Sequence, residues 1–336
     1  MMNNRTRPAP ERSTALRGDS PRAFLAVLGI VVASLCEAQP YPAKPIKAIV
    51  PYGTGQATDV MCRVFLEQMR VSLNQPFVIE NRPGAGGNIG GAEAAKAAPD
   101  GYTVLCTGNA THVSNPFVYD SMGFDPEQDL APVTAVAGTG YVLLANNNLK
   151  GKSVAEIVAM AKSAPKPMTV GVASTTAHVL YGMFTETAKV NLVRVPYGAG
   201  NRTLFTDLMR GDIDLVIEAM PSAMAPITNG QVAAIAVTNP ARTPFLPDVP
   251  TFKESGVDIQ LLGWNAFYVP RGTPPEIVAA LNRGANEALK DAEVRRRFAT
   301  VASEPIGGSS ADLANMIRTD RAKYEPVIRT LGLKAQ

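Results

Sequence analysis

The residues best placed to hold something small are Tyr52, Gly53, Thr54, Gly55, Gln56, Ala57, Thr58 and Asp59, which read YGTGQATD. Ahead of them Ile46–Val50 is a short apolar run that reads as a buried strand. Behind them a helical pattern begins, with Thr58 or Asp59 near its N-cap, so Pro51 to Ala57 is a tight turn. Strand, turn and helix start together bring several free backbone N–H groups and the positive end of a helix dipole to one point, which suits a small anion. Further candidates lie where ligands gather in open α/β sheets, at the carboxyl ends of strands. These are Thr107, Gly108 and Asn109 after the strand at Thr103, Tyr197, Gly198 and Ala199 after that at Leu192, and Glu218, Ala219 and Met220 after that at Leu215. A carboxylate at Glu218 could take a ligand ammonium; its plainer roles are to cap the next helix or hold water.

The elements that must position these residues follow an alternating rhythm. Ile46–Val50, Phe77–Glu80 and Thr103–Thr107 read as strands, with helices near Asp59–Leu73 and Asn88–Ala97. A second set follows, with strands at Met168–Val172, Leu192–Val195, Leu215–Ile217 and Ala233–Val237. Its helices fall near Val154–Ala164, Ala177–Ala188, Thr203–Arg210 and Ser222–Thr228. The βαβ order predicts an α/β protein of two lobes, each a mainly parallel sheet flanked by helices. Tyr141–Asn146 and Trp264–Val269 look like the crossings between lobes, and Trp264, the sole tryptophan, reads as packing at the hinge. The tail from Pro274 is helical (Glu276–Lys290, Ala292–Thr300, Ala311–Thr330) and most simply packs back on the first lobe. The expected division is 39–140 plus 265–336 for lobe 1 and 141–264 for lobe 2.

The start of the chain reads as an export leader. Residues 1–22 carry five Arg against Glu11 and Asp19, and Ala23 to Cys36 is an apolar run of signal-peptide length, short of the ~20 residues of a membrane span. Cleavage is expected near Ala38, giving residues 1–38 as signal peptide. Cys36 as a lipidation site is the alternative, but Leu35 is bulky where such signals want a small residue. Removing five Arg and three acids (Glu11, Asp19, Glu37) turns 32 basic and 29 acidic residues into 27 and 26. So small a net charge leaves no footprint for nucleic acid or an anionic membrane. Cys62 and Cys106 remain. In an oxidising compartment they could pair, both falling near the ends of early strands, but two buried free thiols is the simpler expectation.

Three patterns imitate other chemistry. PGAGGNIGG, around Gly84–Gly87, Gly90 and Gly91, lacks the Lys-Ser/Thr of a phosphate loop and reads as a strand-to-helix turn. GAGNRT, from Gly198, resembles a dinucleotide turn with Glu218 downstream, yet Thr203 stands where close helix packing wants a small residue. No GxSxG and no recognisable Cys-His or Ser-His-Asp order follows the leader, no CxxC occurs, and His112 and His178 are the only histidines. No enzymatic activity, cofactor or metal is expected.

Taken in order, YPAKPIKAIVPY, FVIENRPGAGGNIG, AAPDGYTVL, VPYGAG, DLMRGDIDLVIEAMPSA, AAIAVTNPAR, LPDVPTFKESG and VPRGTPPEIVAALN resemble the blocks of the Bug-type (TctC family) extracytoplasmic solute receptors of tripartite tricarboxylate transporters. The resemblance runs through the whole mature chain. It implies a two-lobed periplasmic binding protein with a carboxylated metabolite in its cleft, and a pair of integral membrane subunits as transport partners. It also implies two ligand loops, one per lobe. The first, Tyr52–Asp59, departs from the family's usual PFAPGGATD at Thr54 and Gln56, which add a hydroxyl and a carboxamide. The second, Val172–His178, is two residues shorter than the family's usual turn and lacks its two glycines. Ser174, Thr175 and Thr176 offer hydroxyls and N–H groups at a helix start, or one is an N-cap only, while His178 packs or touches ligand.

The expected function is therefore capture of a small carboxylate by a periplasmic monomer that delivers it to a tripartite transporter on hinge closure. A ligand sensor feeding a signalling protein is the alternative from another class, and a secreted oxidoreductase is the enzymatic one.

Overall fold

Besides Ala9, the computed structural model describes residues 41–197 and 202–334. The expected leader and its cleavage point lie outside the described residues, as do Gly198 and Ala199. In chain order the first elements are β1 (Ile46–Val50), α1 (Ala57–Leu73), β2 (Phe77–Asn81), α2 (Asn88–Ala95), β3 (Thr103–Gly108), the one-turn helices α3 (Ala110–Val113) and α4 (Asn115–Val118), and β4 (Leu130–Ala145). Then come α5 (Val154–Ser163), β5 (Met168–Val172), α6 (Thr175–Ala188), β6 (Leu192–Pro196), α7 (Arg202–Arg210), β7 (Leu215–Ala219), α8 (Met220–Thr228) and β8 (Ala233–Val237). The chain ends with β9 (Leu262–Pro270), α9 (Pro275–Lys290), α10 (Ala292–Thr300), β10 (Glu304–Gly307) and α11 (Ser310–Thr330).

The strands join in the order β2-β1-β3-β9-β4-β7-β5-β6, with β8 and β10 also on β4. Each outer trio is parallel, as the βαβ rhythm requires, and β4 and β9 join them antiparallel. The two extended crossings are thus strands in their own right. β4 has sixteen residues. From Leu130 to Gly140 it pairs with β9, and from Tyr141 to Ala145 with β7 and β8. One strand therefore carries both sheet halves, and each half buries its helices on both faces. At Gly140 a side chain would displace Asn239, since a Cβ there would stand 1.8 Å from Asn239 Oδ1.

Helix α1 shows how the first half is held. Met61, Cys62, Phe65, Leu66 and Met69 form one buried stripe at helical spacing, packed with Phe267 and Val269 of β9. Phe65 meets Phe267 edge-on at 5.4 Å. Each such side chain contributes about 1.5–3 kcal/mol by leaving water. The same stripe brings Cys62 over β3, where it forms a disulfide with Cys106 across a Cα–Cα distance of 6.1 Å. The free-thiol expectation is corrected: Cys62 lies in the second turn of the helix, not at a strand end, and the rotation of α1 on the sheet closes the gap.

The tail departs from expectation in one respect. Helices α9 and α10 pack on α1, but α11 touches α3, α4 and β4 and also reaches α6, where Gly182 leaves room for Leu331 and Leu333. Its Leu313, Ile317, Tyr324 and Ile328 are buried in a core that continues through both sheet halves. Among the described residues no helix is long and apolar enough to cross a membrane.

Candidate functional site

Two helix N-termini, from opposite halves of the sheet, face one cavity of about 310 Å3. The first belongs to α1. Its N-cap is Gln56, in extended conformation, so the helix starts one residue before Thr58 and neither Thr58 nor Asp59 caps it. The N–H groups of Ala57 and Thr58 have no acceptor within the helix, and the dipole adds positive potential there. Asn265 of β9 donates to Thr58 Oγ1 at 2.9 Å, which leaves the hydroxyl proton free to point at a ligand.

Other groups of the first loop brace the loop itself. Gln56 Oε1 accepts from the Gly53 N–H at 2.8 Å, and Asp59 Oδ2 from the Gly55 N–H at 2.9 Å. Asp59 is buried. Burial pushes its carboxyl up, but Arg63, Asn81 and the Gly55 N–H more than offset this and hold it below the usual carboxylate range. Its contribution is present above the unfolded-state value and is lost as pH falls through the lowered one. Asp59→Ala should cost roughly 2–3 kcal/mol from these charge-assisted hydrogen bonds and should weaken ligand binding by loosening the turn. Urea unfolding at pH 7 and pH 3.5 checks this; an unchanged pH 7 midpoint would show that the turn needs no such anchor.

The second N-terminus belongs to α6. Ser174 is its N-cap and accepts from the Ala177 N–H at 3.1 Å, leaving the N–H groups of Thr175 and Thr176 directed outward. Thr176 Oγ1 lies 3.4 Å from Asn109 Oδ1 on the first half. Thr175 reaches Tyr119, whose hydroxyl it hydrogen-bonds. The halves thus meet over the cavity.

The wall between them carries two charged residues of different character. Arg194, on β6, lies 3.3 Å from His178 Nδ1, and no described carboxylate comes within 4.0 Å of its nitrogens. Burial, with Arg194 adding to it, pushes His178 down to about 4, so at neutral pH its ring is an uncharged acceptor and Arg194 an uncompensated cation. Glu218, 4% exposed at the end of β7, accepts from the Ala219 N–H through Oε1, while Oε2 has no partner. Burial pushes its carboxyl up to about 7.

Of the sequence candidates, Tyr52, Gln56, Ala57, Thr58, Asn109, Ser174, Thr175, Thr176, His178, Tyr197 and Glu218 line this cavity. Gly53, Thr54, Gly55, Asp59 and Thr107 do not; Thr54 turns to Asn81, and Thr107 is buried against Thr111. Gly198 lies outside the described residues. Arg194, Tyr119, Tyr141 and Gly84–Gly87 line it as well, and sequence reasoning passed them over. The glycines do form the expected strand-to-helix turn, and at Gly86, with φ +62°, a Cβ would push on side chains from both halves, meeting Tyr119 Oη at 2.7 Å and Thr175 Oγ1 at 2.8 Å. Trp264 lines the edge and donates from Nε1 to Asp320 of α11 at 2.7 Å, a packing and anchoring role.

Two sheet halves sharing one long strand, with a cavity between them lined by loops from each, define a two-lobed solute-binding protein. The chain belongs to the tripartite tricarboxylate transporter family receptors (TctC), whose family model matches residues 61–333. Protein BugT of Bordetella pertussis is 34% identical over 320 residues, spanning 93% of this chain and 98% of BugT. Among solved structures, R. palustris Rpa4515 with adipate superposes with a TM-score of 0.83 at 32% identity, covering 87% of this chain and 98% of that one. MatC from Rhodopseudomonas palustris with bound malate gives 0.79 at 28% identity, covering 86% and 100%.

Proposed function

We propose that the protein captures a small carboxylate in this cleft, in the periplasm, and delivers it to the membrane subunits of a tripartite transporter. The observation that carries this reading is the convergence of the α1 and α6 N-termini, with Arg194, on one cavity. Fixed amide dipoles and a cation hold an anion without reorganising, and ordered water can complete its shell. The adipate and malate bound by two relatives support a carboxylate as ligand. The lobes are taken as 39–140 plus 265–336 and 141–264, moving about the crossings in β4 and β9. Binding and closure are the whole task, with no chemical step.

A thermal-shift series on residues 39–336 tests the proposal, because a ligand that binds only the folded form raises the midpoint by mass action. Millimolar adipate, malate or a related acid is expected to raise it by several degrees, and a nicotinamide cofactor to leave it in place. A rise with the cofactor and none with any acid would reverse the reading.

A further inference from the structure

Glu218 does not fit a site built only to attract anions. It is a buried carboxyl in the wall of a cavity that two helix N-termini and Arg194 make positive. One oxygen is satisfied by its neighbour's N–H; the other, Oε2, is buried and has no partner. An ionised carboxylate so placed would repel the ligand and leave its own lone pairs unsolvated, whereas the neutral acid has a proton to donate.

Building on the carboxylate reading above, we infer that Glu218 takes up a proton from solvent as the anionic ligand closes into the cleft, and that the resulting acid turns its carboxyl toward the cavity and donates a hydrogen bond to a ligand oxygen. No covalent bond forms or breaks. The proton moves from bulk water to Glu218 on binding and returns on release. The ligand class this selects has an acceptor oxygen at the far end from the clamped carboxylate, a second acid group or a hydroxyl, rather than an ammonium.

The surroundings let this proton be read on its own. Burial raises the tyrosines that line the cavity, Tyr52, Tyr119, Tyr141 and Tyr197, and lowers His178 to about 4. Among the elements packed on β7, neither β5 nor α8 carries a titratable side chain. β4 brings Tyr141, α6 brings His178, Tyr181 and Glu186, and α7 brings Asp207 and Arg210, with Asp207 engaged by Tyr197 at 2.7 Å. With Glu218 near 7 when the cleft is empty, an anion beside it pushes it higher still. The sign follows: affinity is greatest below pH 7 and falls as pH rises, by about tenfold between pH 6.5 and 8.5 if the bound form titrates 1.5 units higher or more.

The test is calorimetric titration of residues 39–336 with malate and with adipate at pH 6.5 and 8.5, at each pH in two cationic or zwitterionic buffers of different ionisation enthalpy, since phosphate would itself compete for the site. The expected results are a Kd that rises about tenfold over this range and uptake of up to one proton per ligand, read from the buffer dependence of the heat. Glu218→Gln, a permanently neutral donor, should bind about tenfold more tightly than the unmodified protein at pH 8.5 and show neither pH dependence nor proton uptake. Binding with no proton uptake in the unmodified protein overturns the inference without touching the receptor reading. So does binding that tightens with rising pH and vanishes in Glu218→Gln, which would mean an ionised Glu218 holding a ligand cation. No binding of any acid at either pH defeats the carboxylate reading itself, and this inference with it.

Discussion

Replacing Cys62 and Cys106 together by alanine is expected to destabilise the protein by about 4 kcal/mol. The disulfide closes a loop with a sequence separation of 44, and the chain-entropy relation gives about 4 kcal/mol for a loop of that length. Both side chains are 0% exposed, so the lost sulfur atoms add a small packing penalty. On a chain of this size the melting temperature should fall on the order of 10 °C. Function should suffer too, for a local reason. Cys62 lies one turn beyond Thr58, and Cys106 precedes the strand end that presents Gly108 and Asn109, so the bond ties together two walls of the cavity. Urea unfolding of the oxidised protein and of the double variant decides this. Coincident curves would mean that packing of α1 on the sheet already supplies all the restraint.

The second large effect concerns closure. Gly86→Leu places a side chain where Thr175 and Tyr119 now stand, within 3 Å of both. Part of its cost is the left-handed backbone, 1–3 kcal/mol for a non-glycine residue, but that strain is present whether the cleft is open or shut. The clash with Thr175 exists only when the lobes meet. Affinity should therefore fall on the order of 100-fold for a 2–3 kcal/mol penalty confined to the closed form, in addition to the strain that lowers ligand-free stability. Equal losses in the ligand-free melting point and none in affinity would show that closure does not bring these residues together.

Much of the frame was legible. Ile46–Val50, Met168–Val172 and Ala233–Val237 are strands over the limits read from their apolar runs, because each is short, buried and bounded by turn residues. The first half of β4 was not, since APVTAVAGTG, with a proline, two glycines and small polar residues, reads as loop. It is a strand because β9 and β10, distant in sequence, pair with it. β10 itself is four residues with a proline. The site divides in the same way. Glu218 and Asn109 followed from the rule about strand ends, and Ser174–Thr176 from the second ligand loop that the family resemblance implies, at a helix start. Asp59, the most conspicuous charge in the first loop, turned out to be spent within it. Arg194 sits amid the apolar residues of an edge strand, and nothing local shows that the strand ends against the cleft. Tyr119 and Gly86 become wall only through the meeting of the lobes, which no local pattern records.

The central claim is that a small carboxylate is held between the lobes. The most direct test is calorimetric titration of residues 39–336, unmodified and as Gly86→Leu, with malate and adipate at pH 6.5. The account predicts binding of one molecule per chain in the unmodified protein and a Kd weaker on the order of 100-fold in the variant. Equal affinity in both would place the ligand somewhere other than the cleft and contradict the account.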